Sequence, residues 1–306
     1  MDQIAALRAF IAVSEAGGFA PAARRMGLAT SSLTRQVDAL EAKLAVKLLN
    51  RSTRSVTLTD AGQVYFEKTA RILSDLQDAD LALAGHDGPR GLLRVSAPLA
   101  FGRLHLAPLL AGYLESCPEV ELDLIFTDSV TNLAEENIDV AIRIGALESS
   151  SLIARKLAPH RRVVCASPDY LERQGTPRRP SDLAEHACLA FAFTPGRDLW
   201  RFEGRTGRTE EVEVKGRIRA NNSETLVQAA VAGLGVVMMP TWLVGADLQA
   251  GRLQAILEDW RTSPGAMDTG IHAVYLANRR GVPKVRSFVE LLLGRWSPVP
   301  PWEIPA

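Results

Sequence analysis

Short helices separated by glycine turns are predicted along the first 58 residues. Apolar residues fall close to one helical face up to Gly17, where the pair Gly17-Gly18 ends the first helix. Pro21, a residue suited to the first turn of a helix, begins a second helix that reaches Met26. A third helix is predicted from about Ser31 to Leu44. The apolar positions of the first and third helices are Leu7, Phe10, Ile11, Val13, Leu33, Val37, Leu40 and Leu44.

Two short helices joined by a glycine turn, the second with a polar outer face, are typical of a helix-turn-helix, although many helical hairpins share this pattern. Lys47–Leu49 and Val56–Leu58 are predicted to form two short strands. The residues between the strands place Arg51 and Arg54 among hydroxyl groups. Such a wing suits contact with phosphate or with the minor groove of DNA.

One long helix of about 25 residues is predicted from Thr59, a plausible N-cap, to Ala84. At 1.5 Å per residue it would extend ~37 Å, which is more than a small domain covers. We therefore expect its apolar seam to pack on a partner helix. Residues 85–89 contain two glycines and a proline and are predicted to form a hinge. The seam consists of Phe66, Ala70, Leu73, Leu76, Ala79 and Leu83.

Strands and helices alternate after Gly91, which is typical of an α/β domain with mainly parallel sheets. The order predicts two lobes, with chain crossings near Ala158 and near Asp268. The proline-rich tail that begins at Ser297 is predicted to be irregular. The predicted strands are Leu92–Ala97, Glu121–Phe126, Asp139–Ile144, Val163–Ala166, Cys188–Phe193, Val236–Met239 and Ile271–Leu276. The predicted helices are Arg103–Glu115, Val130–Glu136, Glu224–Ala232 and Val285–Leu293.

Composition is that of an ordinary globular protein, but the charge is unevenly distributed. The 306 residues allow two or three domains, and a hydrophobic content of 47% is ample for packed cores. The 35 basic and 35 acidic side chains cancel. Between residues 24 and 54, however, basic side chains predominate and would attract a phosphate backbone. They are Arg24, Arg25, Arg35, Lys43, Lys47, Arg51 and Arg54, against Asp38 and Glu41.

The cellular setting is predicted from what the sequence lacks. The chain start has no cationic and apolar segments of a signal peptide, and no uncharged apolar run approaches the ~20 residues that cross a bilayer. A cytoplasmic protein is therefore expected. Cys117, Cys165 and Cys188 are widely spaced, without a CxxC pair or clustered histidines. They predict buried free thiols rather than disulfides or a zinc site, and no cofactor or metal is expected.

The chain resembles the LysR-type family of bacterial transcriptional regulators from Leu7 to about Trp296. The most specific stretch runs from Thr34 to Glu41. It is followed by matches at residues 48–51, at Arg54, at residues 56–59 and at the pair Ala61-Gly62. The second half is similar to the effector domain of the same family in residues 91–98, 138–145 and 232–235.

This resemblance implies an α+β multidomain protein. Residues 1–58 would form a winged helix-turn-helix DNA-binding domain, and residues 59–90 a linker and dimerisation helix with its hinge. Residues 91–296 would form a two-lobed α/β effector-binding domain similar to periplasmic binding proteins, with a ligand cleft between its lobes. Lobe I would contain about residues 91–158 and 269–296, lobe II about residues 159–268, and residues 297–306 a C-terminal tail.

Three positions depart from the family pattern. Ala20 stands where a serine or threonine is usual, so the second helix would lack a side-chain cap worth about 1 kcal/mol. Ala45 replaces a common glycine, and Leu49 replaces a common phenylalanine near the wing. These changes bear on stability and on the angle of the wing, and they leave the expected DNA-reading face intact.

The third helix and the wing supply the candidate DNA contacts. The Arg35 guanidinium can donate two hydrogen bonds to guanine in the major groove, and the alternative is a solvated surface arginine. For the other candidates on this helix the alternatives are capping or packing. Arg51 and Arg54 favour phosphate or minor-groove contact. The candidates on the third helix are Thr30, Ser31, Thr34, Arg35 and Gln36.

Loops after strands supply the candidate effector contacts, because open α/β sheets bind ligands at the carboxyl ends of their strands. Free backbone N–H groups and the helix dipole after the first strand would favour an anion. Phe101 would pack on the apolar part of a small anionic or polar effector, and ordinary loop capping is the alternative for each candidate. The candidates are Pro98, Leu99, Ala100, Phe101, Gly102, Thr127, Asp128, Gly145, Asn222 and Ser223.

Arg143 lies within an otherwise apolar strand and needs a partner if it is buried. Asp128 and Glu148 are possible partners. Alternatively, Arg143 faces the cleft.

An enzyme is the main rival function from another class. The sequence has no GxSxG elbow, no HExxH motif and no phosphate-binding glycine loop, and its five histidines are scattered, so no enzymatic activity is expected. A DNA-binding protein whose C-terminal domain serves oligomerisation alone is a second rival, and a collapsed cleft would favour it. The expected partners are a double-stranded DNA operator, a small-molecule effector and further copies of the chain, as a homodimer and homotetramer, with no membrane partner.

Overall fold

The computed structural model describes residues 2–51, 55–83, 88–147, 151–191 and 199–303, with only the backbone described at residues 74, 75 and 77–83. The chain divides into two compact units, Met1–Leu92 and Leu93–Ala306. Among the described residues no single helix has the length and apolar character needed to cross a membrane. The helices Gln3–Ala16 and Phe19–Met26 reach both criteria only when taken together, across a bend of 120°.

The first unit contains helices α1 (Gln3–Ala16), α2 (Phe19–Met26), α3 (Thr30–Leu44) and α4 (Asp60–Leu83). An antiparallel hairpin of β1 (Leu49–Arg51) and β2 (Val56–Leu58) lies between α3 and α4. Phe10, Leu33, Val37 and Leu40 are completely buried together, as the apolar spacing predicts. Gly17 and Gly27 end α1 and α2 with φ angles of 63° and 64°, which glycine adopts without steric cost.

The first strand of the wing begins two residues later than predicted. The carbonyl oxygens of Lys47 and Leu48 accept hydrogen bonds from the hydroxyl and the backbone N–H of Thr59. The backbone N–H groups of Leu48 and Leu49 are bound by Glu41. Because these backbone groups are already bonded elsewhere, pairing with β2 runs from Leu49 to Arg51. Arg54 lies outside the described residues.

Two of the departures from the family pattern have local consequences. Ala45 follows α3 with φ +54°, a left-handed conformation that costs a non-glycine residue roughly 1–2 kcal/mol. The residue before α2 is Gly18, so Ala20 lies inside the first turn of that helix. The helix does lack a side-chain cap, as expected, but the residue at the N-cap is Gly18, so Ala20 is not the cause.

The start of α4 is packed tightly against the wing. Thr59 caps this helix as predicted, because its hydroxyl accepts the N–H of Gly62 at 2.9 Å. A Cβ on Gly62 would lie 1.9 Å from the carbonyl oxygen of Leu48, so only glycine fits there.

The first half of the predicted seam on α4 is not free for a partner helix. Phe66 and Leu73 pack against the core of their own unit, together with Tyr65. Phe66 also meets the ring of Phe10 edge to face, at a centroid distance of 6.3 Å. The side chains of Ala79 and Leu83 lie outside the described residues. Among the side chains of α4 that the structure describes, Val64 and Ile72 are instead the exposed large apolar ones, with 56% and 53% of their surface accessible.

The second unit is built on two mixed sheets. The first has strand order β4-β3-β5-β15-β6, with β3 and β5 parallel and β15 antiparallel to both of its neighbours. Its strands are β3 (Gly91–Ala97), β4 (Val120–Phe126), β5 (Val140–Gly145), β6 (Ile153–Pro159) and β15 (Gly270–Tyr275). The sheets were expected to be mainly parallel, and the return strand β15 is what makes this one mixed.

The second sheet belongs to the other lobe, where β7 lies between antiparallel neighbours β12 and β13. The parallel pair β8 and β11 adjoins it through a bridge between Cys188 and Val236. A small antiparallel sheet, in the order β10-β9-β14, lies in the same lobe. These strands are β7 (Arg162–Ala166), β8 (Ala190–Phe191), β9 (Leu199–Gly204), β10 (Thr209–Glu213), β11 (Arg219–Ala220), β12 (Val237–Pro240), β13 (Gln254–Ile256) and β14 (Trp260–Ser263).

Helices cover both sheets. The helical segment after β3 begins at α5 (Leu99–Phe101), continues through a π-helical turn and ends with α6 (Leu110–Ser116). The predicted helices near Glu224 and Val285 are present as α8 (Ser223–Val231) and α10 (Pro283–Trp296). The sequence did not predict α7 (Pro168–Gln174) or α9 (Thr241–Gln249).

The predicted helix Val130–Glu136 is wrong, because residues 133–137 form a turn. The Asn132 side-chain oxygen accepts the backbone N–H of Ala134, and the Glu136 carboxylate accepts the N–H of Asn132. Asn137 then adopts φ +56°. These local side-chain bonds compete with a helix and define the turn.

The chain passes between the lobes at residues 160–161 and again at residues 264–269, close to the predicted crossings. The irregular tail returns to the first lobe, where Trp302 is buried against Phe101 and Trp296. All three cysteines are free and buried, as predicted.

Candidate functional site

A buried carboxylate holds the wing against α3. Only 3% of Glu41 is exposed, and one of its oxygens accepts the backbone N–H groups of Leu48 and Leu49 at 2.9 and 3.1 Å. Its other oxygen binds Lys47 at 2.7 Å and Arg51 at 3.2 Å. Burial alone raises the pKa of Glu41, but these four partners together outweigh burial and lower it. Glu41 is therefore ionised and fully bonded inside the unit.

Arg51 was expected to contact DNA, but the structure commits its side chain to the protein. The guanidinium forms ion pairs with Asp38 at 2.7 Å and with Glu41 at 3.2 Å. It also lies over the ring of Phe19, 4.9 Å from the ring centroid. Arg51 thus joins β1 to α2 and α3, and both acids of the basic segment are neutralised inside the unit.

The exposed side of α3 carries the remaining sequence candidates. Thr30, Ser31 and Arg35 are exposed, and the Arg35 side chain donates only to the carbonyl oxygen of Ser31. Among the described residues no acidic side chain pairs with Arg35. The residue before the helix is Ala29, and no side chain caps α3. The capping alternative for Thr30 and Ser31 therefore does not hold, and their hydroxyls stay accessible.

Two other candidates on α3 are less available. The hydroxyl of Thr34 donates to the carbonyl oxygen of Thr30 at 2.9 Å. Gln36 is half-buried, and its side-chain oxygen is buried without a hydrogen-bond partner. Packing, the alternative for Gln36, agrees with that burial.

In the second unit, the backbone donors expected to hold an anion are already used in part. The N–H of Leu99, at the start of α5, donates to the Asp128 carboxylate at 3.1 Å. The Thr127 hydroxyl accepts the N–H of Ser129, and the Thr127 N–H donates to the carbonyl oxygen of Ala97. Asp128 thus supplies the negative charge that the helix start favours, which disfavours a second anion beside it.

Asn222 and Ser223 begin α8 on the opposite lobe. Asn222 caps this helix, because its side-chain oxygen accepts the N–H and the hydroxyl of Thr225 at 2.9 and 3.0 Å. The two lobes are bridged by an ion pair between Arg103 and Glu224. The structure therefore brings the candidates after β3 close to those at the start of α8.

Apolar contacts accompany this bridge. Ala100 and Leu104 of the first lobe pack against the buried cluster that contains Leu226 and Val227 of α8. The lobes are thus in contact along the candidate cleft.

The structure does not place the Phe101 ring in this cleft. The ring is completely buried and meets Trp242, Trp296 and Trp302 edge to face, at centroid distances of 5.3, 5.3 and 5.7 Å. His105 lies in the same cluster, where burial lowers its pKa. The expectation that Phe101 packs on a ligand is wrong for this arrangement, because the ring belongs to the core.

Arg143 has a partner that the sequence did not suggest. Its guanidinium donates to the backbone carbonyl oxygen of Thr131 at 2.7 Å, two residues before the turn that replaces the predicted helix. Glu148 lies outside the described residues. The buried ion pair of this region is instead between Arg279 and Asp139, at 3.3 Å.

Two family models match the chain. The model described as "Bacterial regulatory helix-turn-helix protein, lysR family" matches residues 4–63, and "LysR substrate binding domain" matches residues 86–297. The regulator PtxR of Pseudomonas aeruginosa is 36% identical over 298 residues, which cover 94% of this chain and 92% of PtxR.

Solved structures of regulators from the same family are also similar to the chain. CrgA of Neisseria meningitidis is 34% identical, with a TM-score of 0.59 over 95% of this chain and 97% of CrgA. The virulence activator AphB of Vibrio cholerae is 27% identical, with a TM-score of 0.59 over 95% of this chain and 98% of AphB.

Glu41→Gln removes the buried charge and keeps the size of the side chain. We expect it to lower the free energy of unfolding of the first unit by about 2 kcal/mol at pH 7, because hydrogen bonds to a charged acceptor are lost inside the protein. The loss should be fully present above about pH 4.3, the usual pKa of glutamate. It should shrink as the pH falls through the lowered pKa of the folded state, where the wild type also loses this charge.

Urea unfolding followed by two probes measures this effect. All five tryptophans belong to the second unit, so tryptophan fluorescence reports that unit alone, while circular dichroism reports the helices of both. Glu41→Gln should move the circular dichroism transition and leave the fluorescence transition in place. Glu15→Gln, at an exposed ion pair with Arg25, is the matched control, with an expected change below about 0.5 kcal/mol. Identical unfolding of Glu41→Gln and wild type would contradict the role of Glu41.

Proposed function

The chain belongs to the LysR family of bacterial transcriptional regulators, and on that premise we propose a role for each of its domains. Members of the family join a helix-turn-helix DNA-binding domain to an effector-binding domain. We infer that α3 enters the major groove of an operator in double-stranded DNA, while the wing lies along the backbone. The observation that carries this proposal is the exposed, uncapped start of α3, where no acidic side chain in the described part of the chain pairs with Arg35.

The proposed DNA contacts have different roles. Arg35 reads a base edge, and Thr30, Ser31 and Thr34 bind a base edge or phosphate near the helix start. Arg54 is proposed to contact phosphate or the minor groove. Arg51 positions the wing through its ion pairs rather than binding DNA itself, and Gln36 contributes through packing beside the core.

A homodimer is proposed to form through α4. Val64 and Ile72 lie eight residues apart, roughly 80° around the helix, and both are exposed. Burying such side chains against a second copy would contribute about 25 cal/mol for each Å² of apolar surface. Contacts between effector domains would extend the dimer to a tetramer, and a cytoplasmic setting suits an operator-binding protein.

The cleft between the lobes is proposed to bind a small polar effector. The Asp128 carboxylate and the hydroxyls of Thr127 and Ser223 are the groups that would orient it, beside Leu99 and Asn222. Because Asp128 is negative, a hydrogen-bond donor on the effector suits this cleft better than the anion first considered. The effector would change DNA binding or bending by favouring one arrangement of the regulator over another.

Arg35→Ala should weaken operator binding by about 1–3 kcal/mol and relax the preference at one base pair, because a paired guanidinium contact is lost. The operator would first be identified by sequencing genomic DNA that the purified protein retains, and affinity measured by fluorescence anisotropy. Lys43→Ala, at the far end of the same helix, is the matched control and should keep the base preference. An equal loss on operator and random DNA would make Arg35 a phosphate contact.

The double variant Val64→Asp with Ile72→Asp should convert the dimer to a folded monomer, because two charges would be buried at the proposed contact. Substituting Leu73 instead would disturb the core of the unit itself. Sedimentation equilibrium measures the mass, and circular dichroism checks folding. Val46→Asp, at an exposed valine outside α4, should stay dimeric. A double variant that remains a dimer would contradict pairing through this face.

Ser223→Val should abolish stabilisation by a polar effector found in a thermal-shift screen of metabolites, because the hydroxyl is replaced by methyl groups that form no hydrogen bond. Ser116→Val, at an exposed serine of the first lobe, is the control and should keep the shift. Stabilisation that survives Ser223→Val and Thr127→Val would place the ligand outside the cleft. A screen without any hit would favour the rival in which this domain serves oligomerisation alone.

A further inference from the structure

A second cavity lies at the crossings between the lobes, and we call it the hinge cavity. Its volume is about 1290 Å³, and residues 159–164 and 267–270, from both crossings, line it. The ends of β5, β13 and β14 complete the wall. Of the ten residues predicted to bind the effector, Gly145 alone contributes to it. The hinge cavity is therefore distinct from the cleft at Thr127 and Ser223.

The charges on its wall are not balanced. Arg161 pairs with Glu303 at 3.7 Å, and Arg261 pairs with Asp268 at 2.7 Å. Arg162 begins β7 between these groups and, among the described residues, forms neither an ion pair nor a hydrogen bond through its side chain. Burial lowers the pKa of Arg162 to about 10, so the guanidinium still carries its charge at neutral pH. Lys156, also on the wall, adds a second cation without a carboxylate partner among the described residues, and Glu258 is the wall's remaining acid, so the wall carries four basic and three acidic side chains.

Three further side chains of the wall have polar atoms left without partners. His160 and Thr262 are 8% and 9% exposed, and the His160 Nδ1 and the Thr262 hydroxyl are buried without a hydrogen bond to any residue that the structure describes. The Nδ1 atom of His272 is likewise buried without a hydrogen bond to any described residue. Burial, with the charge of Arg162, lowers the pKa of His160 to about 3, so this ring is neutral. Buried polar groups without partners cost free energy, which a bound acceptor would remove.

The remainder of the wall is largely apolar. Val163, Leu253, Ile256 and Trp260 contribute to it. The volume of the cavity is far larger than that of an inorganic ion. A larger organic molecule therefore suits it better, with a negatively charged end for the Arg162 guanidinium and an apolar body that contacts these side chains.

We propose that the hinge cavity binds a small organic carboxylate, with the carboxylate on Arg162 and the apolar body against Ile256 and Trp260. Arg162 donates two hydrogen bonds, the arrangement that guanidinium and carboxylate groups favour. Thr262 and the histidines 160 and 272 lie in the same wall as further donors. A ligand here touches both crossings, so its binding depends on the relative position of the lobes. The site does not rest on the effector cleft proposed above.

Benzoate is the probe, with benzamide as its neutral counterpart and inorganic phosphate as an anion without an apolar body. In the full-length protein, calorimetry should detect benzoate binding and little or no binding of benzamide or phosphate. Arg162→Leu should raise the Kd for benzoate about ten- to a hundred-fold, as expected for loss of a charge-assisted bond. The same variant should melt close to the wild-type temperature, because the charge that it removes is half-buried and has no ion-pair partner among the described residues.

Two control variants locate the site. Arg261→Leu removes an arginine of the same wall that already has two carboxylate partners, and it should leave the Kd for benzoate within about twofold. Ser223→Val, in the cleft, should also leave it unchanged, so failure of the cleft proposal is seen separately. The proposal is overturned by benzoate binding that survives Arg162→Leu, by binding lost in Ser223→Val instead, by equal binding of benzamide or phosphate, or by no binding of benzoate.

Discussion

The geometry of the DNA-binding unit depends on one buried carboxylate. Glu41 is the last buried position of α3, and its oxygens bind the backbone at the entry to the wing as well as Arg51 on β1. An ionised group inside a protein is tolerated only when its lone pairs are satisfied, and here four donors satisfy them. These hydrogen bonds and ion pairs offset the cost of burying the charge. All four form together only when the wing lies in one position relative to α3. The recognition helix and the wing are held in one fixed relation.

In the second unit, the charged groups of the cleft have hydrogen-bond or ion-pair partners, but one charge at the hinge cavity has none within the described part of the chain. The start of α5 receives the Asp128 carboxylate, and the cleft is closed by an ion pair and by apolar contacts. At the hinge, Arg162 remains charged without a counter-ion among the described residues. Among the described residues, the buried charges of Glu41 and Arg279 have partners of opposite charge, whereas the half-buried guanidinium of Arg162 has none, and a function is inferred for Arg162 from this contrast.

Periodicity and turn chemistry predict a large part of the fold. The apolar spacing located α3 within one residue, and strands β3, β4, β5, β7, β12 and β15 were found because runs of buried apolar residues are local signals. The first strand of the wing was displaced by two residues because the Glu41 side chain, on the preceding helix, takes the backbone donors of Leu48 and Leu49. The helix expected at 130–136 gave way to side-chain bonds from Asn132 that compete with helical ones. Phe101 was assigned to a ligand because the tryptophans that bury it lie more than a hundred residues away. The hinge cavity escaped prediction for the same reason, since both crossings and two later strands build it.

The contact between Gly62 and the wing has a mechanical consequence. With the Leu48 carbonyl oxygen where a Cβ would otherwise lie, and Thr59 bonded to both Lys47 and Leu48, the first turn of α4 cannot rotate without carrying the wing along. The first turn of α4 and the wing therefore move together. In a pair of chains joined along α4, the register of the two helices would determine the distance between the two wings. A shift of this register by one helical turn, 5.4 Å, would change the spacing between operator half-sites that the dimer fits. It would not alter any residue that faces the bases.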